Sequence, residues 1–219
     1  ARVNATPMLG IGMRGYFRVR KAEAILDDIE ICALALSAGD TKMVAITMDI
    51  CAFPTPTANE LRQHIAEVNG IPVENVYLHA THSHTAPFVV HDAEGALEQE
   101  YYRIVYHKMA DAAKFALEDL KPAKMGWAVG KAPNIAFVRR FRMKDGSHVM
   151  NPGFQNPETD CPVDITDPEL LVVRVDKADG TPMGMIANFA LHLDTVGAGG
   201  RGGYSADYPG VIRQNMRKL

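Results

Sequence analysis

The densest chemistry in the chain lies in Ala80-Thr81-His82-Ser83-His84-Thr85-Ala86-Pro87, directly after the apolar run Val76 to Ala80. Residues i and i+2 of an extended backbone share a face. Two histidines at that spacing would look into one space beyond a strand's C-terminal end, where α/β sheets place their ligands. Neutral imidazole is a common zinc ligand, its second nitrogen oriented by a hydrogen bond. The competing reading is a pair of histidines hydrogen-bonded at a strand end. Spacing alone leaves both open.

A second histidine, His192, also stands where an apolar run ends, in Asn188-Phe189-Ala190-Leu191-His192-Leu193-Asp194. Taken alone it reads as a satisfied core histidine. The stretch Thr195 to Gly203 holds five glycines and leads into Ser205-Ala206-Asp207-Tyr208-Pro209-Gly210. Glycines between a strand and a helix start let backbone approach a ligand. This stretch lacks the Lys-Ser/Thr of a phosphate loop and the dinucleotide glycine spacing. Two basic groups stand apart: Arg14, Arg18, Arg20 and Lys21, and Arg139-Arg140 with Arg142 and Lys144. Such runs usually form a solvated face. The sharper reading takes one of Arg139-Arg140 into the pocket, where a guanidinium stabilises a developing oxyanion.

The elements that must carry these residues follow from periodicity. Ala1 to Tyr16 is rich in Gly, Pro and Met and reads as irregular. Ile29 to Ser37 and Lys42 to Asp49 read as a hairpin around Ala38-Gly39-Asp40. Thr57 and Glu60 fit a capping box. Leu61, Ile65 and Val68 follow at helical spacing, and Asn69-Gly70 ends that helix. Val76 to Ala80 is a buried strand, so strand, helix and strand make a βαβ unit. Leu97 to Leu120 is a longer helix with one apolar face. Met125 to Gly130 and Asn134 to Val138 read as short strands. Arg142 to His148 contains a turn at Lys144 to Ser147. Asn151 to Pro168, with four prolines, reads as an ordered loop. Leu170 to Val175 and Met183 to Leu191 are strands joined at Asp179-Gly180, and Tyr208-Pro209-Gly210 opens a last helix. The fold class is α/β: a mixed, partly parallel sheet with flanking helices, expected to be incomplete at the C-terminus.

Composition narrows the function. A hydrophobic share of 47% and a charged share of 22% permit an ordinary globular core. A net charge of −3 gives no general attraction for nucleic acid. No apolar run reaches membrane-spanning length. The three cysteines, Cys32, Cys51 and Cys161, are scattered, so neither a disulfide framework nor a cysteine zinc knuckle is expected. Cys32 and Cys51 lie in apolar runs and read as buried thiols.

Taken in order, several segments resemble the N-terminal catalytic region of the neutral/alkaline, non-lysosomal ceramidases and their bacterial relatives. They are Asn4-Ala5-Thr6-Pro7, Met13-Arg14-Gly15-Tyr16, Ala80 to Pro87, Val138-Arg139-Arg140-Phe141, Met143-Lys144-Asp145-Gly146, Asn188 to His192 and Ser205 to Gly210. The resemblance implies a zinc-dependent amide hydrolase of sphingolipid metabolism that cleaves ceramide-like N-acyl substrates to a fatty acid and a sphingoid base. It implies His82 and His192 as zinc ligands, and His84 and Arg139 as groups facing the reacting carbonyl or its oxyanion. Val138 stands where that family has an asparagine, which removes one polar contact. Asp207 matches an acidic position to which the resemblance gives no firm role.

The resemblance also implies an amphipathic N-acyl substrate, contact with a membrane surface and an extracytoplasmic, periplasmic or secreted, location. The family's remaining zinc ligands, a glutamate and a tyrosine, and a serine proposed as nucleophile match nothing before Leu219. Residues 1–219 are therefore expected to be the N-terminal part of one catalytic domain, inactive alone. A self-sufficient domain would need Asp49, Asp194 or Asp207 as third ligand, since catalytic zinc takes three protein ligands and water. A hydrolase of the same architecture acting on another amide or ester, and a binding domain that has lost its metal, are the alternative functions.

Overall fold

The structure is a computed structural model and describes residues 1–196 and 202–218. Most of the glycine-rich stretch singled out above, residues 197–201, lies outside the described residues. The strands are β1 (Arg2–Asn4), β2 (Gly12–Met13), β3 (Arg20–Lys21), β4 (Ala24–Ile25), β5 (Glu30–Ala38), β6 (Thr41–Met48) and β7 (Val76–Ala80). They continue with β8 (Ala123–Lys131), β9 (Arg140–Met143), β10 (His148–Met150), β11 (Thr159–Pro162), β12 (Glu169–Lys177), β13 (Pro182–Phe189) and β14 (Gly203–Tyr204). The helices are α1 (Thr55–Asn69), α2 (Ala96–Glu118) and α3 (Asp207–Met216). The chain divides into two compact units, Ala1–Leu120 with Leu193–Leu219, and Lys121–His192.

The first unit is built on a mixed sheet of order β1-β5-β6-β7, in which β6 and β7 are parallel and the other pairs antiparallel. Periodicity 2 explains its buried face. Val44, Ile46 and Met48 of β6 lie opposite Ala35, Ala33 and Ile31 of β5, and beside Val76, Leu78 and Ala80 of β7. Leu61 and Ile65 of α1 and Tyr101, Val105, Met109 and Ala112 of α2 close the same core. The expected hairpin, βαβ unit and long helix are all present, so the fold class is the mixed, partly parallel α/β arrangement.

Local expectations fail where a proline or a distant partner intervenes. The capping box is not formed: α1 starts at Thr55 with Pro56 in its first turn, where a missing N–H costs nothing. Thr57 is inside the helix, fully buried, and its hydroxyl pairs with His91 Nδ1 at 3.0 Å. Gly70 does end α1, in the left-handed region at φ 62°. Val68 turns outward while Ala66 packs inward. The first sixteen residues are not all irregular, because β1 pairs with the edge of β5 and β2 pairs with β3.

The second unit consists of two antiparallel three-stranded sheets, β13-β12-β8 and β10-β9-β11. Asn134 to Val138 forms no strand; Asn134 sits at φ 64° in a turn that begins at Pro133. The proline-rich stretch does supply a strand, since β11 pairs with β9 through a register shift between Thr159 and Cys161.

An ion-pair network carries α3 onto the first unit's sheet. Arg213 donates to Glu30 at 3.1 Å and to the fully buried Asp49, while Arg217 donates to Glu30 at 2.7 Å. Burial pushes the Asp49 carboxyl up, and Arg213 opposes that shift. Removing one partner of such a pair strands a buried charge. Arg213→Ala should therefore lower unfolding stability by about 3–5 kcal/mol, the usual cost of breaking a buried pair. Denaturant unfolding of the full-length protein measures it. An unchanged midpoint would show that water reaches Asp49 and that the pair does not hold α3.

Candidate functional site

His82 and His84 lie just beyond β7, and a backbone turn, not strand alternation, brings them together. The segment after Ala80 leaves strand geometry, and His82 adopts φ 73°, a left-handed conformation rare for a non-glycine residue. The two Nε2 atoms face each other at 3.3 Å, with ring centroids 4.9 Å apart. The expectation of a shared face thus holds for the side chains, but its reason was wrong. Strain of this kind costs on the order of 1–3 kcal/mol and persists where surrounding contacts over-determine it.

Those contacts come from four distant segments. His82 N donates to Ile50 O at 2.9 Å, and His84 N donates to Leu193 O at 3.1 Å. The Ser83 hydroxyl donates to Ser205 O at 2.8 Å, and Ser205 N returns a bond to Thr85 O at 2.9 Å. From the other side, Phe88 N donates to Gly12 O and Arg14 N to Ala86 O. Ser83 is fully buried, so the residue between the histidines is a fastening and not a nucleophile.

The tautomer of His82 follows from its partner. Its Nδ1 lies 2.7 Å from Cys51 O, and a carbonyl oxygen only accepts. Nδ1 therefore carries the proton, and Nε2 is the lone-pair nitrogen turned toward His84. Backbone carbonyls orient metal-binding histidines in this way. Without a metal, Nε2–H of His84 is the donor that the 3.3 Å contact requires. With zinc–imidazole distances of about 2.0–2.1 Å, the edge of a tetrahedron spans about 3.3–3.4 Å, so the observed separation also suits two ligands of one ion. One ligand atom each from Cys51, His82 and His84 lies within 4.8 Å of the other two. The donor set thus fits a borderline-soft divalent ion. Cys51 is buried, and burial pushes its thiol up.

A second layer surrounds His84. Tyr16 stands edge-on to its ring, centroids 5.6 Å apart, and donates its hydroxyl to Asp194 Oδ1. Burial and the Asp194 hydrogen bond push the Tyr16 hydroxyl up to about 12, so it remains a proton donor at any physiological pH. Arg20 lies over the Tyr16 ring at 4.0 Å and donates to His84 O. Gly15, at φ 118°, touches the His84 ring so closely that a Cβ there would lie 2.5 Å from Cγ.

The other expected site residues separate into distinct roles. Asp207 is buried at φ 55° and accepts from Thr195 N at 2.9 Å, Thr195 Oγ1 at 2.5 Å and Tyr208 N at 2.7 Å. It fixes the segment that follows Asp194, so its carboxylate is already occupied by these donors. Asp49 is likewise committed to Arg213. Arg139 and His192 belong to the second unit: Arg139 is exposed directly before β9, and His192 follows β13 as that unit's last residue. Tyr16, Gly15, Arg20 and Cys51 were missed as site residues. Only the Met13-Arg14-Gly15-Tyr16 motif gave a hint, since Arg20 read as part of a solvated face and Cys51 as an inert thiol.

No family model matches the sequence, and no curated protein matches it. Solved structures do match. A structure described as a ceramidase complexed with C2 superposes with TM-score 0.70 at 18% identity, covering 95% of this chain and 33% of that one. The neutral ceramidase from Pseudomonas aeruginosa gives TM-score 0.69 at 20% identity, with 95% and 34% covered. The chain therefore has a ceramidase-like fold and spans about a third of the length of these ceramidases.

The close approach at Gly15 makes a direct forecast. Gly15→Ala should both strain the backbone, by about 1–3 kcal/mol, and push the His84 ring aside. The full-length variant should show a lower melting temperature and shifted His84 ring resonances by NMR. Unmoved His84 resonances would mean that the ring does not rest on Gly15.

Proposed function

We propose that this chain supplies the histidine face of a metal-dependent hydrolase that cleaves an N-acyl amide, ceramide-like, to a fatty acid and a sphingoid base. The single observation that carries the reading is the His82–His84 pair, with the His82 tautomer set by Cys51 O, in a chain of ceramidase-like fold. His82 holds the ion through Nε2, and His192 is the second ligand implied by the sequence resemblance. Zinc in such a site lowers the pKa of water to about 7 and polarises an amide carbonyl.

The rest of the chemistry belongs to side chains of this chain. With His82 Nε2 given to the ion in this reading, His84 Nε2–H, 3.3 Å from it, serves a developing oxyanion beside it. Tyr16 and Arg20 keep that imidazole in place through its ring edge and its carbonyl. Arg139 is the second oxyanion donor in this reading, again on the resemblance. Catalytic zinc takes three protein ligands, so a third donor completes the set. Among the described residues no helix is long and apolar enough to cross a membrane. On the sequence resemblance, the amphipathic substrate is met at a membrane surface, in an extracytoplasmic setting.

In the full-length protein, His82→Ala should abolish zinc binding. His84→Ala and Arg139→Ala should retain zinc and lower kcat by about 10²–10³, the usual loss for one oxyanion donor. Metal analysis together with hydrolysis of N-acylsphingosines and of unrelated N-acyl amides reads all three. Full zinc content in His82→Ala overturns the metal assignment. A near-normal rate in Arg139→Ala places that guanidinium in solvent, and preference for another amide replaces the lipid substrate while keeping the reaction.

A further inference from the structure

We infer that the tip of the β2–β3 hairpin, residues 14–19, is a membrane-docking wedge that seats the histidine site on an anionic lipid surface. The inference rests on the proposed function for the lipid nature of the substrate, and it names the part of the chain that meets the lipid. It starts from charge. The first 22 residues carry five Arg and Lys side chains and no Asp or Glu, although the whole chain is net −3. The first acidic side chain, Glu23, comes after β3. Arg14, Arg18 and Lys21 are exposed, and Arg18 and Lys21 form no ion pair among the described residues. Arg14 is held over the Phe88 ring at 4.4 Å, which keeps its guanidinium at the base of the tip. Between these cations stand two apolar side chains in water: Phe17 is 114% exposed and Val19 79%.

A single exposed apolar residue is ordinary. A whole phenyl ring in water at the end of a hairpin, with cations on both sides, is the combination that amphipathic membrane anchors use. The base of the hairpin is fastened to the site. Met13 bridges to Pro87, Arg14 N donates to Ala86 O at 3.3 Å, Phe88 N donates to Gly12 O at 2.9 Å, and the Arg20 guanidinium donates to His84 O. Tyr16 turns onto the His84 ring and Asp194, while its neighbour Phe17 turns outward. A bilayer that receives Phe17 is thereby brought up to the histidine loop. Size argues against a protein partner: a specific protein interface takes about 20–30 residues from each side, and the tip has six. A bilayer asks only that a few side chains enter between headgroups. Each Arg or Lys near an anionic leaflet strengthens binding about fivefold. Apolar insertion with a basic cluster supplies the two signals that stable anchoring takes.

Co-flotation of the full-length protein with lipid vesicles tests this. Wild type should bind phosphatidylcholine vesicles that carry about 30% phosphatidylglycerol, an anionic surface, and should bind pure phosphatidylcholine more weakly. Phe17→Ser should bind the anionic vesicles at least about tenfold more weakly, the loss expected for leaving one phenyl ring in water. Arg18→Glu should weaken binding by about tenfold or more, since it removes one attraction and adds one repulsion. Phe17→Trp should bind at least as tightly as wild type, because tryptophan favours the membrane interface. Phe17→Ser and Arg18→Glu should hydrolyse a water-soluble, short-chain N-acylsphingosine at the wild-type rate and lose rate only on substrate held in vesicles. Equal vesicle binding by wild type and Phe17→Ser overturns the wedge, as does absence of vesicle binding in wild type. So does loss of the soluble-substrate rate in Phe17→Ser, which makes the ring a wall of the substrate site instead. Vesicle binding that depends on Phe17, without hydrolysis of any N-acyl amide by wild type, overturns the proposed hydrolase and leaves the docking surface standing.

Discussion

The loop from Ser83 to Pro87 is buried along its whole length yet belongs to no strand or helix, and the site depends on that contradiction being resolved. Buried backbone polar groups must find partners, and a segment outside regular structure has to borrow them. Here the partners are Gly12 and Arg14 of the first hairpin, Leu193 at the return from the second unit, and Ser205 before α3. Each is remote in sequence, and each fixes one side of the loop. The left-handed His82 is affordable only inside that frame. Take away any one of these borrowed partners and a polar group of the loop is orphaned, at about 1–3 kcal/mol.

The same economy governs the charges. Among the described residues, the buried and half-buried carboxylates Asp27, Glu30, Asp49 and Asp207 each hold a specific partner. Asp27 accepts from the Ser205 hydroxyl at 2.5 Å and from Ala206 N at 2.6 Å, which holds the strand β14 exit against β4. Asp207 ties the start of α3 to Thr195. Asp49 and Glu30 receive Arg213 of that helix, and Glu30 also receives Arg217 just after it. The acidic residues near the histidines therefore act as fastenings for the segments that carry donors.

The match to ceramidases concerns shape more than sequence, and the physics explains why the two can part. A mixed sheet with helices on one face needs only apolar residues at the right period, and many sequences satisfy that. The site is less permissive. A glycine must meet His84, a hydroxyl must reach Ser205 O, and a carbonyl must orient His82. The first two of those requirements fall on short segments that carried the resemblance, Met13 to Tyr16, Ala80 to Pro87 and Ser205 to Gly210; the third falls on Cys51, outside them.

Much of the fold was legible in the sequence because its signals are local. Alternation in Lys42 to Met48, helical spacing in Leu97 to Leu120 and the glycine after Asn69 each act within a few residues, and the hairpin, α2 and the end of α1 follow from them. The histidine pair was legible as a motif for the same reason. Its geometry was not. His82 turns left-handed because Ile50, Leu193 and Ser205 claim the backbone around it, and the last of these is 122 residues from Ser83. Tyr16 and Arg20 enter the site, and Thr57 leaves its capping role, through partners that no spacing rule can foresee. Short β11 inside a proline-rich stretch is a further case, since pairing with β9 outweighs local propensity. Periodicity determined which elements form and which faces they bury; only the folded chain decided which side chains meet at His82, because those meetings are hydrogen bonds closed across most of its length.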